Sequence, residues 1–190
     1  MLFRSKLDEI LNDSNLVLID TRSYKEYSAD HILGAVNLDL FAFHWFDTSK
    51  KGIENFNSQT SELFSFVGIT NEKKVVFYDD VTGILAARGV WMLQYFSHPN
   101  VFILDGGIQK WKSENLPIET KTNPFKQEKF SGKTNDEILV GYEYIRDNLE
   151  KIKLVDARSK EEFDGTVVRD RKSTRLNSSH SQQSRMPSSA

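Results

Sequence analysis

The sequence predicts an α/β fold: an open parallel sheet with helices on both faces, followed by the start of a second copy of the same unit. Three observations predict it. Short apolar runs alternate with helical patterns, each run ends at an aspartate, and the first run recurs with its flanking motif 136 residues later. Alternating strands and helices are typical of parallel sheets, whose strands are buried on both faces.

The predicted strands of the first copy are 16–19, ending at Asp20, 75–78, ending at Asp79, and 101–104, ending at Asp105. The predicted helices are Thr60–Val67, Leu85–Phe96 and Gly107–Asn115. The carboxyl ends of parallel strands form the edge where such sheets bind ligands. We therefore expect the polar site at these aspartates, in a domain comprising residues 1–120.

Residues 121–135 are predicted to be a linker, because they contain Pro124, Gly132 and many polar side chains. Beyond it, 136–149 has helical spacing and 152–155 is a predicted strand ending at Asp156.

The segment Leu18–Tyr27 aligns without gaps on Leu154–Phe163. A repeat at so long an interval indicates duplicated domains, so residues 136–169 are predicted to begin domain two. Residues 170–190 are rich in serine and resemble a translated sequencing adapter, and we predict that they are non-native.

The chain contains no cysteine, which excludes disulfides, thiolate metal sites and a cysteine nucleophile within it. We predict neither a metal nor a cofactor. The net charge is −2 and the basic residues 170–190 leave the rest more acidic, which argues against a nucleic-acid partner. No apolar run is long enough to span a bilayer, so we predict a cytoplasmic protein without a membrane partner.

Several motifs occur in the order typical of one family. They are Asp20-x-Arg22-x-x-x-Glu26, His31-Ile32-x-Gly34-Ala35, Tyr78-Asp79 followed by Ala86-Ala87-Arg88, and Leu104-Asp105-Gly106-Gly107-x-x-x-Trp111. Together they resemble the rhodanese family, and the repeat resembles its tandem thiosulfate or 3-mercaptopyruvate sulfurtransferases. The resemblance implies an inactive first domain and a second domain whose loop cysteine carries sulfur as a persulfide.

By this resemblance Asp79 occupies the nucleophile position of domain one. A carboxylate cannot carry persulfide sulfur, so we interpret Asp79 as an acceptor of loop N–H groups that caps the next helix. An aspartyl nucleophile is the alternative, but no metal or phosphate motif accompanies it. No catalytic residue is therefore predicted in this chain.

Four other features have two interpretations each. Arg22 and Glu26 are predicted to form a structural ion pair rather than to bind substrate. His31 is expected to stabilise a turn rather than to act as a general base, and Arg88 to brace the loop rather than to bind an oxyanion. The segment His44-Trp45-Phe46 is predicted to begin an insertion packed on the domain surface, with no readable function.

The resemblance implies that the intact protein moves sulfane sulfur from a small anionic donor, thiosulfate or 3-mercaptopyruvate, to a thiophilic acceptor. This fragment is expected to be inactive. The alternative is a pseudoenzyme that binds a protein partner. A phosphatase of related fold would need a cysteine followed five residues later by arginine, which domain one lacks.

Overall fold

A computed structural model of the chain describes residues 1–42, 45, 47–81 and 83–166. The chain divides into one compact unit, Met1–Arg146, and a second that begins at Asp147. The two units are described separately.

The described residues form helices and strands that include the three strands and three helices predicted for the first domain. They are α1 (Arg4–Asp8), β1 (Leu16–Asp20), α2 (Tyr24–Ala29), β2 (His31–Ile32), β3 (Val36–Asn37), α3 (Lys50–Phe66), β4 (Lys74–Tyr78), α4 (Ile84–Tyr95), β5 (Val101–Ile103), α5 (Gly107–Ser113), β6 (Ile118–Glu119), α6 (Tyr142–Asp147) and α7 (Lys160–Phe163).

The main sheet has four parallel strands in the order β3-β1-β4-β5. In its register Ile19 lies opposite Phe77, and Phe77 lies opposite Ile103. A separate antiparallel pair joins β2 to β6. The predicted α/β fold with a parallel sheet is confirmed, and β1, β4 and β5 are the three strands expected from the apolar runs.

The two faces of the sheet bury separate apolar clusters. Successive strand side chains point to opposite faces, so Val75 and Phe77 enter one cluster while Val76 and Tyr78 enter the other. The first cluster packs against α3 and α4, and the second against α1 and α5. Helices therefore cover both faces, which explains why the strands are continuously apolar.

Helix α3 begins at Lys50, ten residues before the predicted start at Thr60. Ser49 caps it by accepting a hydrogen bond from the backbone N–H of Gly52 at 3.1 Å. Phe56, Thr60 and Phe64 are buried at four-residue spacing and form one face of the helix. The prediction was wrong in length because polar residues separate these positions in the first half of the helix.

Residues 121–135 lie against the first compact unit as an extended arm. The backbone N–H of Asn123 donates to the hydroxyl of Tyr27 at 3.0 Å, and that of Glu128 donates to the carbonyl of Ser65 at 3.0 Å. Phe130 is 6% exposed within the aromatic cluster of α3 and α4. The segment predicted as a linker thus contributes to the core of the first unit.

Near the start of the predicted second copy the structure differs from the expectation. The predicted helix 136–149 is reduced to α6, and the predicted strand 152–155 was wrong, since no strand is formed there. Leu154 and Val155 are exposed. A strand requires a neighbour for its backbone hydrogen bonds, and none pairs with this segment in the described part of the chain.

Candidate functional site

The candidate site lies at the carboxyl ends of β1 and β4, where Asp20 and Asp79 are both buried. The two strands are adjacent and in register, with Asp20 opposite Tyr78. The backbone N–H of Thr21 donates to the carbonyl of Tyr78 at 2.9 Å and extends this pairing past the strand end. Two of the three aspartates at which the site was predicted, Asp20 and Asp79, therefore lie close together, whereas Asp105 pairs with Arg4 at 2.9 Å.

The carboxylate of Asp79 binds the N–H groups at the start of α4. It accepts hydrogen bonds from Gly83 at 3.0 Å, Leu85 at 3.1 Å and Ala86 at 3.4 Å. Gly83 is the residue before the helix, has a φ of 74° and supplies no side-chain cap. Asp79 consequently acts as the cap from across the loop, and its negative charge lies at the positive end of the helix dipole.

The loop after β4 is held against the start of α5. The carbonyls of Asp79 and Asp80 accept the N–H groups of Ile108 at 3.0 Å and Gln109 at 3.3 Å. A Cβ on Gly107, whose φ is 55°, would lie 2.4 Å from the Asp80 carbonyl oxygen. Glycine is therefore required here, which is a physical reason for the second glycine of the Asp-Gly-Gly motif.

Arg22 pairs with Asp20 and not with Glu26, so the predicted Arg22–Glu26 ion pair was wrong. Its Nη2 lies 2.6 Å from Oδ2 of Asp20, and its Nη1 lies 3.6 Å from Oδ1 of Asp30. Burial alone would lower the pKa of Arg22, but the hydrogen bonds and charge of Asp20 raise it overall. The guanidinium thus remains charged and is committed to this pair.

Glu26 instead completes a capping box at the start of α2. Its backbone N–H donates to the Ser23 hydroxyl, and its carboxylate accepts the backbone N–H of Ser23. The spacing of the Ser23 to Glu26 pair was the signal for this arrangement. The ion pair was predicted because the same Arg and Glu recur as Arg158 and Glu162 in the repeat.

A pocket of about 310 Å³ opens between these elements. Its lining contains four carboxylates and one guanidinium: Glu26, Asp39, Asp79, Asp80 and Arg22, with Ser23, Phe41 and Leu85. In the described residues none of the four carboxylates forms an ion pair, and the guanidinium is neutralised by Asp20. The pocket is therefore acidic, and it would repel a small anion.

Sequence reasoning missed Asp39. It follows β3, a strand of two residues that is too short to give an apolar run. β3 pairs with β1 in parallel, so its carboxyl end lies at the same edge of the sheet. Asn37 reinforces this edge, because its amide donates to the carbonyls of Asp20 at 3.1 Å and Arg22 at 2.8 Å.

The remaining candidates lie outside the pocket lining. Arg88 donates from Nη1 to the carbonyl of Leu40 at 3.1 Å, a bracing contact, and burial lowers its pKa. His31 is buried at the start of β2. Trp45 stacks on Phe56 with ring centroids 4.4 Å apart. The neighbouring His44 and Phe46 lie outside the described residues.

The segment Asp156–Phe163, which the sequence predicts to begin a second copy, repeats local contacts of Asp20–Tyr27. Nε of Arg158 lies 3.0 Å from Oδ1 of Asp156, as Nε of Arg22 does from Asp20. Ser159 and Glu162 form a capping box at α7. The hydrogen bond from Arg158 lowers the pKa of Asp156 to about 2. The sequence repeat therefore has the same side-chain contacts in both places.

No group of three or more His, Cys, Asp or Glu side chains in the described part of the chain could hold a metal ion. No helix among the described residues has the length and apolar character needed to cross a membrane.

Comparison with known proteins found a family model, described as a rhodanese-like domain, that matches residues 4–114. The 3-mercaptopyruvate sulfurtransferase of Mus musculus is 31% identical over 150 residues, 75% of this chain and 49% of its own length. The thiosulfate sulfurtransferase of Bos taurus is 29% identical over 146 residues, with the same two coverages. The crystal structure of SseA, a 3-mercaptopyruvate sulfotransferase from Escherichia coli, has a TM-score of 0.71 at 25% identity, over 88% of this chain and 68% of that one. The chain spans about half the length of the curated relatives it matches.

Proposed function

Because the chain belongs to the rhodanese-like family, we propose that the protein of which it forms part transfers sulfane sulfur from thiosulfate or 3-mercaptopyruvate to a thiophilic acceptor. Its relatives include sulfurtransferases named for both donors. The single observation that carries the proposal for this chain is the loop after β4, whose N–H groups converge on the buried side chain of Asp79, at the position where the family resemblance places the nucleophile.

The chemistry requires a thiolate. A cysteine thiolate attacks the outer sulfur of thiosulfate, forms a persulfide and releases sulfite. A nucleophile such as cyanide then takes that sulfur as thiocyanate and restores the thiolate. Loop N–H groups and a helix N-terminus favour both the thiolate and the anionic donor. In domain one the carboxylate of Asp79 takes those N–H groups.

We propose that the second copy supplies the cysteine. The repeat of the Asp20–Arg22 contacts at Asp156–Arg158 supports a second domain of the same fold. The 136-residue offset of the repeat, added to Asp79, places the nucleophile near position 215. Sequencing the native gene beyond Arg169 should reveal a cysteine within a few residues of that position. Asp, Ser or Gly in that loop would remove the enzyme proposal.

The chain itself should be inactive, because it contains no cysteine. The assay is thiocyanate formation from thiosulfate and cyanide, compared with a blank without protein. The Asp79→Cys variant is the matched control for the loop alone, and it should remain far below a complete sulfurtransferase because Asp80 and Val81 still shape the loop. Thiocyanate above the blank with the unaltered chain would contradict the proposal.

A binding module without sulfur transfer is the second candidate, and one observation favours it. Three large apolar residues that adjoin lining residues in the sequence are exposed: Tyr24, Val81 and Ile84. A contiguous patch of exposed apolar side chains is typical of a protein interface. A cysteine in the second copy would show that binding is not the whole function.

The cytoplasmic location stays a prediction.

A further inference from the structure

His31 is a fully buried titratable residue for which the proposed sulfur chemistry has no use. Its Nδ1 lies 2.7 Å from the carbonyl oxygen of Tyr27. A carbonyl can only accept, so Nδ1 carries the proton and Nε2 is bare in the neutral ring. Nε2 has no hydrogen-bond partner in the described part of the chain, and it faces Oε1 of Glu119 at 3.7 Å.

Glu119 joins three segments of the first unit. It lies opposite His31 in the β2–β6 pair. Its Oε1 accepts the backbone N–H of Gly34 at 2.7 Å and the side-chain amide of Asn123 at 2.7 Å. The same carboxylate therefore ties the turn after β2 and the first part of the arm to β6. A change in the charge of His31, which lies opposite Glu119, therefore affects β6, the turn after β2 and the arm.

The ionisable groups around His31 are few. Tyr27 of α2 stacks on the ring at 3.8 Å between centroids, and Glu119 of β6 faces Nε2. Asp30 precedes His31 and pairs with Lys112 of α5 and with Arg22. The charge of Lys121 lowers the pKa of Glu119. Burial raises the pKa of Tyr27, so this phenol stays neutral when an imidazole titrates. Asp30 is already neutralised by its two cationic partners. Glu119 is the group that faces the bare nitrogen.

Glu119 is ionised when a histidine changes its charge. Burial alone would raise its pKa, but the hydrogen bonds from Asn123 and Gly34 outweigh burial and lower it. An imidazole is the side chain that commonly titrates between about pH 5 and 8. A proton on Nε2 of His31 would therefore face a carboxylate.

We propose that His31 and Glu119 form a proton-operated clasp that fastens β6 and the arm to the turn between α2 and β3. A proton taken up at Nε2 converts an unpaired acceptor into an N–H donor that points at the carboxylate of Glu119. The clasp is closed when Nε2 of His31 carries a proton and Glu119 is ionised, and it is open when either condition fails. Uptake of a proton at Nε2 is therefore coupled to the attachment of the arm.

A double-mutant cycle in the full chain tests the clasp. His31→Asn, Glu119→Gln and the double variant are unfolded with urea at about pH 5.5 and at about pH 8, on either side of the histidine range. The coupling factor in the unfolding equilibrium constant should be about three-fold or more in acid and close to one at high pH. The cycle of Arg4→Gln and Asp105→Asn is the control. Its ion pair, at 2.9 Å, contains no imidazole, so its coupling should not change.

Equal His31–Glu119 coupling at the two pH values would overturn the proposal. If His31→Asn does not fold, amide hydrogen exchange of residues 118–130 in the wild-type chain and in Glu119→Gln replaces the cycle. The variant should exchange faster than wild type by a factor that is several-fold larger at about pH 5.5 than at about pH 8. A factor that is the same at both pH values would refute the clasp and leave Glu119 as a structural acceptor only.

Discussion

Phe130 provides the sharpest test of the arm described for residues 121–135. Its ring makes edge-to-face contacts with Phe64 at 5.2 Å and Phe96 at 5.6 Å between centroids. The backbone N–H of the same residue donates to the hydroxyl of Ser65 at 3.1 Å. If the arm were a flexible linker, replacing this side chain would have little effect on the stability of the first unit.

The expected loss of unfolding free energy in Phe130→Ala follows from these contacts. Burying a phenyl ring contributes about 2–3 kcal/mol, and each edge-to-face aromatic contact adds about 0.5–1.5 kcal/mol. Substitutions of buried Phe by Ala cost about 3–5 kcal/mol. The arm is held by few backbone bonds and is able to relax into the space, so we expect Phe130→Ala to cost about 3 kcal/mol, the lower end of this range.

The assay is urea unfolding of the full chain followed by tryptophan fluorescence. All three tryptophans lie in the first compact unit, so the signal reports on that unit. Phe125→Ala is the matched control on the same arm. Phe125 is half-buried against Phe66, whose side chain is 44% exposed, and its loss should cost about 1 kcal/mol. A cost for Phe130→Ala no larger than that of the control would refute the assignment of the arm to the core.

Three further outcomes can be measured by the same unfolding experiment. Asp79→Ala should cost about 2 kcal/mol, the upper end of the range for helix caps, because three N–H groups lose a buried acceptor; a loss below about 0.5 kcal/mol would contradict the capping role. Gly107→Ala should cost more than about 1 kcal/mol, because the added Cβ meets the Asp80 carbonyl and the backbone φ is positive; an unchanged midpoint would be the contrary result. Lys112 lowers the pKa of Asp30 through a hydrogen bond, so the pair stabilises the fold above the usual Asp pKa and loses that effect as the pH falls. Lys112→Gln should therefore weaken the fall in stability between about pH 4 and about pH 3, and an identical pH profile would oppose this assignment.

The sequence predicted the sheet well because three of its strands pack against apolar clusters on both faces. Such strands appear as unbroken apolar runs, and β1, β4 and β5 gave this signal. β3 consists of two residues, Val36 and Asn37, and β6 is equally short. The pairing of β3 and β6 depends on tertiary contacts, so no local sequence pattern predicts these two strands. The early start of α3 was missed because its buried positions are separated by polar residues.

For the site, the sequence identified Asp79 and its role but not the partner of Arg22. An aspartate that follows a strand was a reliable marker of the polar edge, as at Asp20. Which carboxylate pairs with a guanidinium depends on side-chain direction, and the spacing of Arg22 and Glu26 was compatible with two solutions. The sequence also could not show that Phe130 returns to the core, because a lone aromatic residue in a polar segment has no periodicity.

The carboxylate of Asp79 has a thermodynamic consequence for the first unit. A ligand tethered to its own binding loop has a high effective concentration that does not change with the solution. Because Asp79 already occupies the loop N–H groups, the folding free energy of this unit does not increase with the concentration of a free anion. A loop whose N–H groups are unoccupied is stabilised when it binds an anionic sulfur donor, so its stability depends on the concentration of that compound. The stability of the first unit should therefore not depend on the concentration of sulfur donor in the cell.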